Sequence, residues 1–195
     1  MKQTLIVPPQ IMLASRRRAL AVCGAVLSAG AVALLAGRDA LAASSKADAK
    51  ATEGDLRILN TALGAEYEAI AAYQVGAESG LLGKPALAVA QQFQGHHKEH
   101  ASALAATLQK LGGKPVAAKS QYTFPVDKLK SEADVLRFAA GLEKGAVSAY
   151  LGAVPLFGDR ELAKVAASIL GDEAMHLAVL RQVLGENPVP VAFVS

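Results

Sequence analysis

From residue 53 onward, apolar residues recur every three or four positions in four separate stretches of the chain. This spacing places them on one face of an α-helix, with polar residues opposite. The stretches cover about residues 53–78, 85–111, 131–155 and 159–184. Ala and Leu dominate, and Val and Ile do not cluster into alternating runs, so close-packed helices are favoured over strands. The pattern predicts an all-α fold, an antiparallel four-helix bundle.

The residues between these stretches predict two short turns and one long connection. Residues 114–130 contain two prolines and form the longer link, between helices two and three. In an antiparallel bundle such a link can cross from one end to the other. Ser131 and Asp134 resemble the capping box that opens a helix. For helix one, Thr52 and Asp55 are alternative caps.

The beginning of the chain has the order of regions found in a secretory signal peptide. A basic cluster of Arg16, Arg17 and Arg18 precedes an apolar run, and a small-residue cleavage site follows at residues 40–42. The arginines and the modest hydrophobicity of the run resemble a twin-arginine export signal. An ordinary export signal or an uncleaved anchor are the alternatives.

These features predict how the chain is organised. Residues 1–42 form a signal peptide of the twin-arginine type, and residues 43–52 form a flexible spacer. Residues 53–187 form the bundle, and residues 188–195 form a C-terminal tail. We expect a periplasmic or extracellular protein that has no stable association with the membrane after removal of the signal.

The positive charge of the chain belongs to its first segment. The full chain has 20 basic and 17 acidic residues, a net charge of +3. Residues 1–42 hold five of the basic residues and one acidic residue, which leaves 15 basic and 16 acidic, a net charge of −1. Nucleic acid is therefore not expected as a partner. The single cysteine, Cys23, also lies in this segment, so the bundle has no thiol chemistry.

Glu173 and His176 form a Glu-x-x-His pair in the fourth predicted helix. Residues three apart lie on one helix face, one turn apart, so the carboxylate and the imidazole can reach one metal ion. Di-metal four-helix bundles use two such pairs, together with a lone Glu from each of the other two helices. Because a single pair is common by chance, the remaining parts of this pattern decide its meaning.

Those parts are present as an internal repeat. Four positions in the first half of the bundle match positions in the second half at an offset of 76 or 77, and three of them hold the same residue type. The matched pairs are Glu66 with Glu143, Tyr73 with Tyr150, His100 with His176, and His97 with Glu173. The second half-site therefore exists, but it has the form His-x-x-His instead of Glu-x-x-His.

This arrangement resembles the ferritin-like superfamily, in particular its small exported members of the ferritin-like and desiccation-related type. The resemblance implies a metal site formed by Glu66, His97, His100, Glu143, Glu173 and His176. Glu66 and Glu143 would be terminal ligands, and Glu173 would bridge two metals. His100 and His176 would bind one metal each, and His97 stands in the place of the second bridge.

The histidine at position 97 changes what such a site can hold. A neutral imidazole has one lone pair to give, so it cannot bridge two metals as a carboxylate does. The outcomes are a di-metal pair with a single bridge, one occupied site, or a site richer in nitrogen. His96 lies on the same side of the helix as His100 and is an alternative ligand to His97.

Other polar residues near the motifs have less specific roles. Tyr73 and Tyr150 either donate hydrogen bonds near the site, carry an electron in oxidation chemistry, or pack in the core with a satisfied hydroxyl group. Glu68, Glu99 and Asp172 are expected to be solvated. Asp172 or Glu99 could instead accept a hydrogen bond from a ligand histidine.

The donor set suits iron, manganese, zinc or copper, with one or two ions per chain. The family resemblance favours iron or manganese and implies redox activity toward Fe(II), oxygen or peroxide. The alternative is a metal-free bundle that acts as a stress-related or envelope interaction protein. Metal ions are the only partners that the sequence indicates, and it leaves the oligomeric state open.

Overall fold

The computed structural model describes residues 53–194, and this part of the chain folds into four long helices. The helices are α1 (Glu53–Glu78), α2 (Lys84–Lys110), α3 (Glu132–Ala153) and α4 (Arg160–Val183). The all-α bundle with a long crossover between helices two and three is confirmed. The predicted signal peptide and spacer lie outside the described residues.

Two helical hairpins form the bundle. Helix α1 packs along α2, and α3 packs along α4, while α1–α3 and α2–α4 contacts join the hairpins. The crossover between α2 and α3 includes a short 3-10 turn, Val126–Lys128. The Asn60 side chain attaches the start of this crossover to α1, since its amide donates to the Lys114 carbonyl and accepts from the Val116 N–H at 3.1 and 2.7 Å.

Local sequence signals account for the helix ends. The Ser131 hydroxyl accepts a hydrogen bond from the Asp134 N–H at the start of α3, as predicted, and Asp159 caps α4. Gly185 ends the last helix at φ 73°, a conformation that side-chain-bearing residues rarely adopt. Asp55 lies near the start of α1, is buried, and accepts from the Gly158 N–H at 2.8 Å in the α3–α4 connection.

The apolar core consists of two clusters at different heights in the bundle. One cluster includes Leu59 and Leu63 of α1 with Leu104 and Leu108 of α2. The second cluster contains buried side chains from all four helices, namely Tyr73, Ala86, Ala90, Phe93, Leu136, Ala139 and Leu180. On each helix, the residues between these clusters include buried polar side chains. We call the six side chains at that height, Glu66, His97, His100, Glu143, Glu173 and His176, the polar layer.

The tail after α4 does not contribute to this core. Val189 and Phe193 in the tail are 70% and 86% exposed. Within residues 53–194, no helix is both long and apolar enough to span a membrane.

Candidate metal centre

The polar layer is withdrawn from solvent. Glu66, His97, Glu143, Glu173 and His176 are all 3% exposed or less, and His100 is partly buried. Burial of this many ionisable groups costs free energy unless each one is paired with an opposite charge, a hydrogen bond or a metal. The structure thus brings together all six side chains that the sequence singled out.

Glu173 of α4 lies at the centre of the layer. Its Oε1 is 3.2 Å from His100 Nδ1 and 3.6 Å from His97 Nδ1, and its Oε2 is 3.3 Å from His176 Nδ1. The two carboxylate oxygens therefore face opposite halves of the layer. A carboxylate that bridges two cations needs this orientation.

His97 occupies the space between the two lone glutamates. Its Nδ1 is 2.8 Å from Glu66 Oε2, and its Nε2 is 3.3 Å from Glu143 Oε1. Both ring nitrogens therefore face carboxylates, one from α1 and one from α3. The ring joins the two halves of the layer, at the position where the internal repeat would otherwise have a glutamate.

His96 and Asp172 lie outside the polar layer, on the side away from Glu173, and contact its histidines. His100 and His176 turn Nδ1 toward Glu173 and Nε2 toward Asp172 Oδ2, at 3.4 and 3.1 Å. His96 Nδ1 is 2.8 Å from His176 Nε2 and 3.2 Å from Asp172. His96 therefore does not take the place of His97, and Asp172 is an acceptor that fixes which nitrogen of each ring faces inward.

Two buried tyrosines cross between the halves of the repeat. The Tyr150 hydroxyl on α3 donates to Glu66 Oε1 on α1 at 2.6 Å. In the symmetric arrangement, the Tyr73 hydroxyl on α1 donates to Glu143 Oε1 on α3. Burial and the adjacent carboxylates raise the pKa of both phenols well above the usual value, so both remain donors. Each tyrosine thus packs in the core and also orients a carboxylate of the layer.

The carboxylates make the histidines strongly basic. Burial opposes the charged ring, but hydrogen bonds with Glu143 and Glu66 raise the pKa of His97 to about 10. The same opposition of burial and neighbouring carboxylates raises the pKa of His100 and of His176 to about 9. In the absence of a metal these rings are protonated at neutral pH, so a cation must displace protons to bind.

The glutamates respond to the same environment in different directions. Burial raises the pKa of Glu173, and the adjacent Glu143 charge adds to this despite contacts with His100 and His176. Burial acts in the same direction on Glu66 and Glu143, but their histidine partners lower the pKa of both carboxyls below the usual value. Glu173 is therefore the carboxylate whose charge is least compensated by the protein.

Several buried oxygen and nitrogen atoms of the layer that could bind a metal have no hydrogen-bond partner within the described residues. They are His100 Nδ1, Glu143 Oε2, Glu173 Oε1, Glu173 Oε2 and His176 Nδ1. Unpaired buried polar atoms are rare and costly. Once the histidines have lost their protons, all five carry lone pairs suited to a first-row transition metal, and they face one another. The residues present therefore fit a bound metal.

Besides a group formed by His96, Asp172 and His176, the donor atoms of the described residues form two overlapping groups that share His97 and Glu173. One group adds Glu66 and His100, and the other adds Glu143 and His176. The group with Glu143 and His176 contains three of the unpartnered atoms, namely Glu143 Oε2, Glu173 Oε2 and His176 Nδ1. In the first group, both carboxylate oxygens of Glu66 are already engaged, Oε2 by His97 and Oε1 by Tyr150. The two halves are thus similar in composition but unequal in readiness to bind a cation.

Sequence reasoning missed the crossed tyrosine–glutamate pairs and the shared role of Asp172. The offset of 77 between the tyrosines marked them as equivalent but did not indicate that each reaches the opposite helix. Asp172 was expected to be solvated, with a hydrogen bond from a ligand histidine as the alternative, and its side chain is 23% exposed beside three histidines. Glu68 and Glu99 are exposed, as expected.

A helical bundle with Glu and His side chains converging from four helices defines the class of ferritin-like proteins. Residues 54–186 match the ferritin-like domain, and the chain belongs to this family. Comparison with curated proteins gives no significant match.

Solved structures share this fold at low sequence identity. A conserved hypothetical protein from Mycobacterium tuberculosis is 23% identical with a TM-score of 0.62, over 72% of this chain and 96% of its own. A ferritin-like diiron-carboxylate protein from Bacillus anthracis is 23% identical with a TM-score of 0.57, over 67% and 94%. A two-domain protein from Anabaena variabilis, with DJ-1/ThiJ/PfpI-like and ferritin-like domains, is 20% identical with a TM-score of 0.57. This chain spans 41% of it.

Proposed function

We propose that the polar layer binds one or two first-row transition metal ions, with iron or manganese as the physiological metal. The unpartnered, buried donor atoms of Glu143, Glu173, His100 and His176 carry this proposal. The similarity to a structure described as a diiron-carboxylate protein supports it. Zinc and copper suit the same donors and are the competing metals.

In this proposal, Glu143 and His176 would hold one ion, Glu66 and His100 would hold the other, and Glu173 would serve both. His97 would give its lone pair to one ion only, and the site has three carboxylates where the repeat would supply four. An ion beside Glu143 would bind more tightly, because both carboxylate oxygens of Glu66 are already engaged, by His97 and Tyr150, whereas Glu143 Oε2 has no partner.

The proposed chemistry is redox. When bound, such ions supply one-electron transfer, so that Fe(II) is oxidised to Fe(III) while oxygen or peroxide is reduced. The apolar clusters on either side of the layer shield it from bulk water along the axis of the bundle. Tyr73 and Tyr150 hold Glu143 and Glu66 in fixed orientations, and Asp172 directs the Nδ1 atoms of His100 and His176 inward. The N-terminal segment supports export to the periplasm or beyond.

Metal analysis of purified protein tests this proposal. We expect one or two iron or manganese ions per chain in the wild type, and an increase in Tm when Mn(II) or anaerobic Fe(II) is added to metal-depleted protein. Glu173→Gln, which keeps the shape but removes the bridging charge, should lose most of the metal. Glu99→Gln is the matched control, because Glu99 is exposed on α2 between the histidines.

A metal-free interaction protein is the second candidate, and the charge balance of the layer favours it. Three histidines with raised pKa can neutralise three carboxylates, and His97 joins Glu66 to Glu143 without a metal. In that case the purified protein contains no metal, and its Tm is the same with Mn(II), with Fe(II) and with a chelator. That result would rule out the metal centre.

A further inference from the structure

An apolar cavity of about 760 Å³ opens between α1 and α3. This volume is within the range of roughly 300–1,000 Å³ that is usual for small-molecule sites. Small side chains from both helices line its walls, namely Ala62, Ala65, Ala69, Ala146 and Ala149. Because these residues are small, the space between the helices stays open, and its surface is mostly hydrocarbon.

The inner end of this cavity is formed by the polar layer. Glu66, His97 and Glu143 all contribute to its lining. Glu143 is 1% exposed, and its Oε2 has no hydrogen-bond partner in the described part of the chain. A molecule in the cavity would therefore lie against the proposed metal ligands. The cavity also continues outward along α1 as far as Gly54 and Arg57.

Charge is distributed unevenly along the cavity. Arg57 is the only lysine or arginine among its described lining residues, and it is exposed. Glu66, Glu68 and Glu143 are at the other end. Arg57 precedes Glu66 by nine positions on α1, or about 13.5 Å along the helix axis, roughly the extended length of a ten-carbon alkyl chain. An anionic group is thus attracted to the outer end.

We propose that this cavity binds an unbranched alkyl carboxylate of medium chain length, with its head group at Arg57 and its methyl end toward the polar layer. Burial of the methylene groups against the alanine walls drives binding, and the positive charge of Arg57 at the outer end sets the direction. As a substrate assignment this rests on the proposed metal centre, whereas binding itself depends only on the cavity.

Displacement of a fluorescent fatty acid tests the binding. The probe is dansyl-undecanoic acid, and decanoic acid is the competitor. We expect Ala149→Trp, which fills the cavity from an exposed position on α3, to weaken decanoate binding at least tenfold. Ala106→Trp is the matched control, since Ala106 is exposed on α2 outside the cavity, and it should bind like the wild type. Arg57→Gln should weaken binding of decanoate at least threefold but leave binding of decanol unchanged.

A second measurement tests the direction of the bound chain. In protein loaded with Mn(II), paramagnetic relaxation should be faster for the methyl carbon of ¹³C-labelled decanoate than for its carboxyl carbon. Faster relaxation of the carboxyl carbon would overturn the proposed direction.

Two results would overturn the binding proposal. One is equal displacement by decanoate in the wild type and in Ala149→Trp. The other is a wild-type protein that binds no decanoate and is a dimer by light scattering, with the dimer dissociated by Ala149→Trp. The cavity would then be an interface with a second copy of the chain. The metal proposal fails separately, if the wild-type protein takes up no Mn(II). In that case the displacement measurement still tests whether the cavity binds decanoate.

Discussion

At the scale of single residues, the crossed tyrosines determine where the lone glutamates point. Each hydroxyl donates to a carboxylate on the opposite hairpin, and Tyr150 does so to Glu66 at 2.6 Å. A hydrogen bond to a buried charge is stronger than one between neutral groups. The tyrosines therefore stabilise the fold and also hold two proposed ligands in a fixed orientation.

Tyr150→Phe should lower the free energy of unfolding by about 1.5–3 kcal/mol, because a buried carboxylate loses a donor. It should also raise the pKa of Glu66. Urea denaturation of metal-depleted protein measures the loss. Tyr67→Phe removes the same atom from a half-buried tyrosine that packs against the apolar core, outside the polar layer. An equal loss in both variants would show that the hydrogen bond between Tyr150 and Glu66 contributes no more to stability than an ordinary tyrosine hydroxyl does.

His97 is the residue at which the internal repeat departs from its own symmetry. His97→Glu restores a Glu-x-x-His pair in α2 and supplies the fourth carboxylate. We expect affinity for the second Mn(II) ion to rise at least tenfold, about 1.4 kcal/mol or more. Calorimetric titration of metal-depleted protein measures this.

The control for that variant is His96→Glu. It adds the same charge one position away, on the side of α2 that faces Asp172 and His176 Nε2. It should not increase affinity for a second ion. If both variants gain equally, the effect comes from net negative charge and not from a ligand at position 97.

At the scale of the elements, helix ends were predictable from local sequence and long-range anchors were not. The Ser131 cap follows from four consecutive residues, because a cap bonds within one turn. Asp55 was read as a possible cap by the same rule, yet its carboxylate bonds to Gly158, 103 residues away. Local patterns cannot distinguish these cases, since both place a short polar side chain near a helix start.

The crossover gives a prediction at this scale. Asn60→Ala removes two hydrogen bonds that fix residues 114 and 116 to α1. The expected loss is about 1–2 kcal/mol in the free energy of unfolding, with faster amide hydrogen exchange in the crossover. Gln91→Ala, at an exposed position on α2, should change neither quantity. Unchanged exchange in Asn60→Ala would show that the crossover is held by other contacts.

At the scale of the whole molecule, the polar layer links stability to pH. The raised pKa values of His97, His100 and His176 mean that their protonation favours the folded state. This contribution is complete below about pH 6.5 and is lost as the pH rises through about 9 to 10. The lowered pKa values of Glu66 and Glu143 act in the opposite range, and their contribution is lost as the pH falls below about 4.5.

Metal-depleted protein should therefore be less stable at about pH 9.5 than at about pH 6.5. The increase in stability caused by bound metal should be larger at about pH 9.5 than at about pH 6.5, because the ligands must lose their protons to bind. Urea denaturation at the two pH values, with a chelator or with Mn(II), measures both. Equal or greater stability of the metal-depleted protein at the higher pH would contradict the pairing described for His97.

The internal symmetry of the sequence determined how much of the site could be predicted. The repeat predicted which residues share a height in the bundle, because equivalent positions in two hairpins must lie level with each other. It did not predict that Tyr73 and Tyr150 exchange partners across the hairpins, or that Asp172 serves two histidines. Those contacts depend on side-chain rotamers and on the rotation of each helix about its axis. The cavity could not be predicted from the sequence either, since it results from the separation of α1 and α3.

The buried polar layer also fixes how far each helix can slide along its neighbours. Helices rich in Ala and Leu can pack at several relative heights with similar apolar contact. A shift of α4 by one turn, about 5.4 Å, would move Glu173 into one of the apolar clusters and leave His97 and His100 facing hydrocarbon. Such a state leaves buried charges unpaired and is strongly disfavoured. The same side chains that suit a metal ion thus give the bundle a single vertical alignment, which apolar packing alone would leave ambiguous.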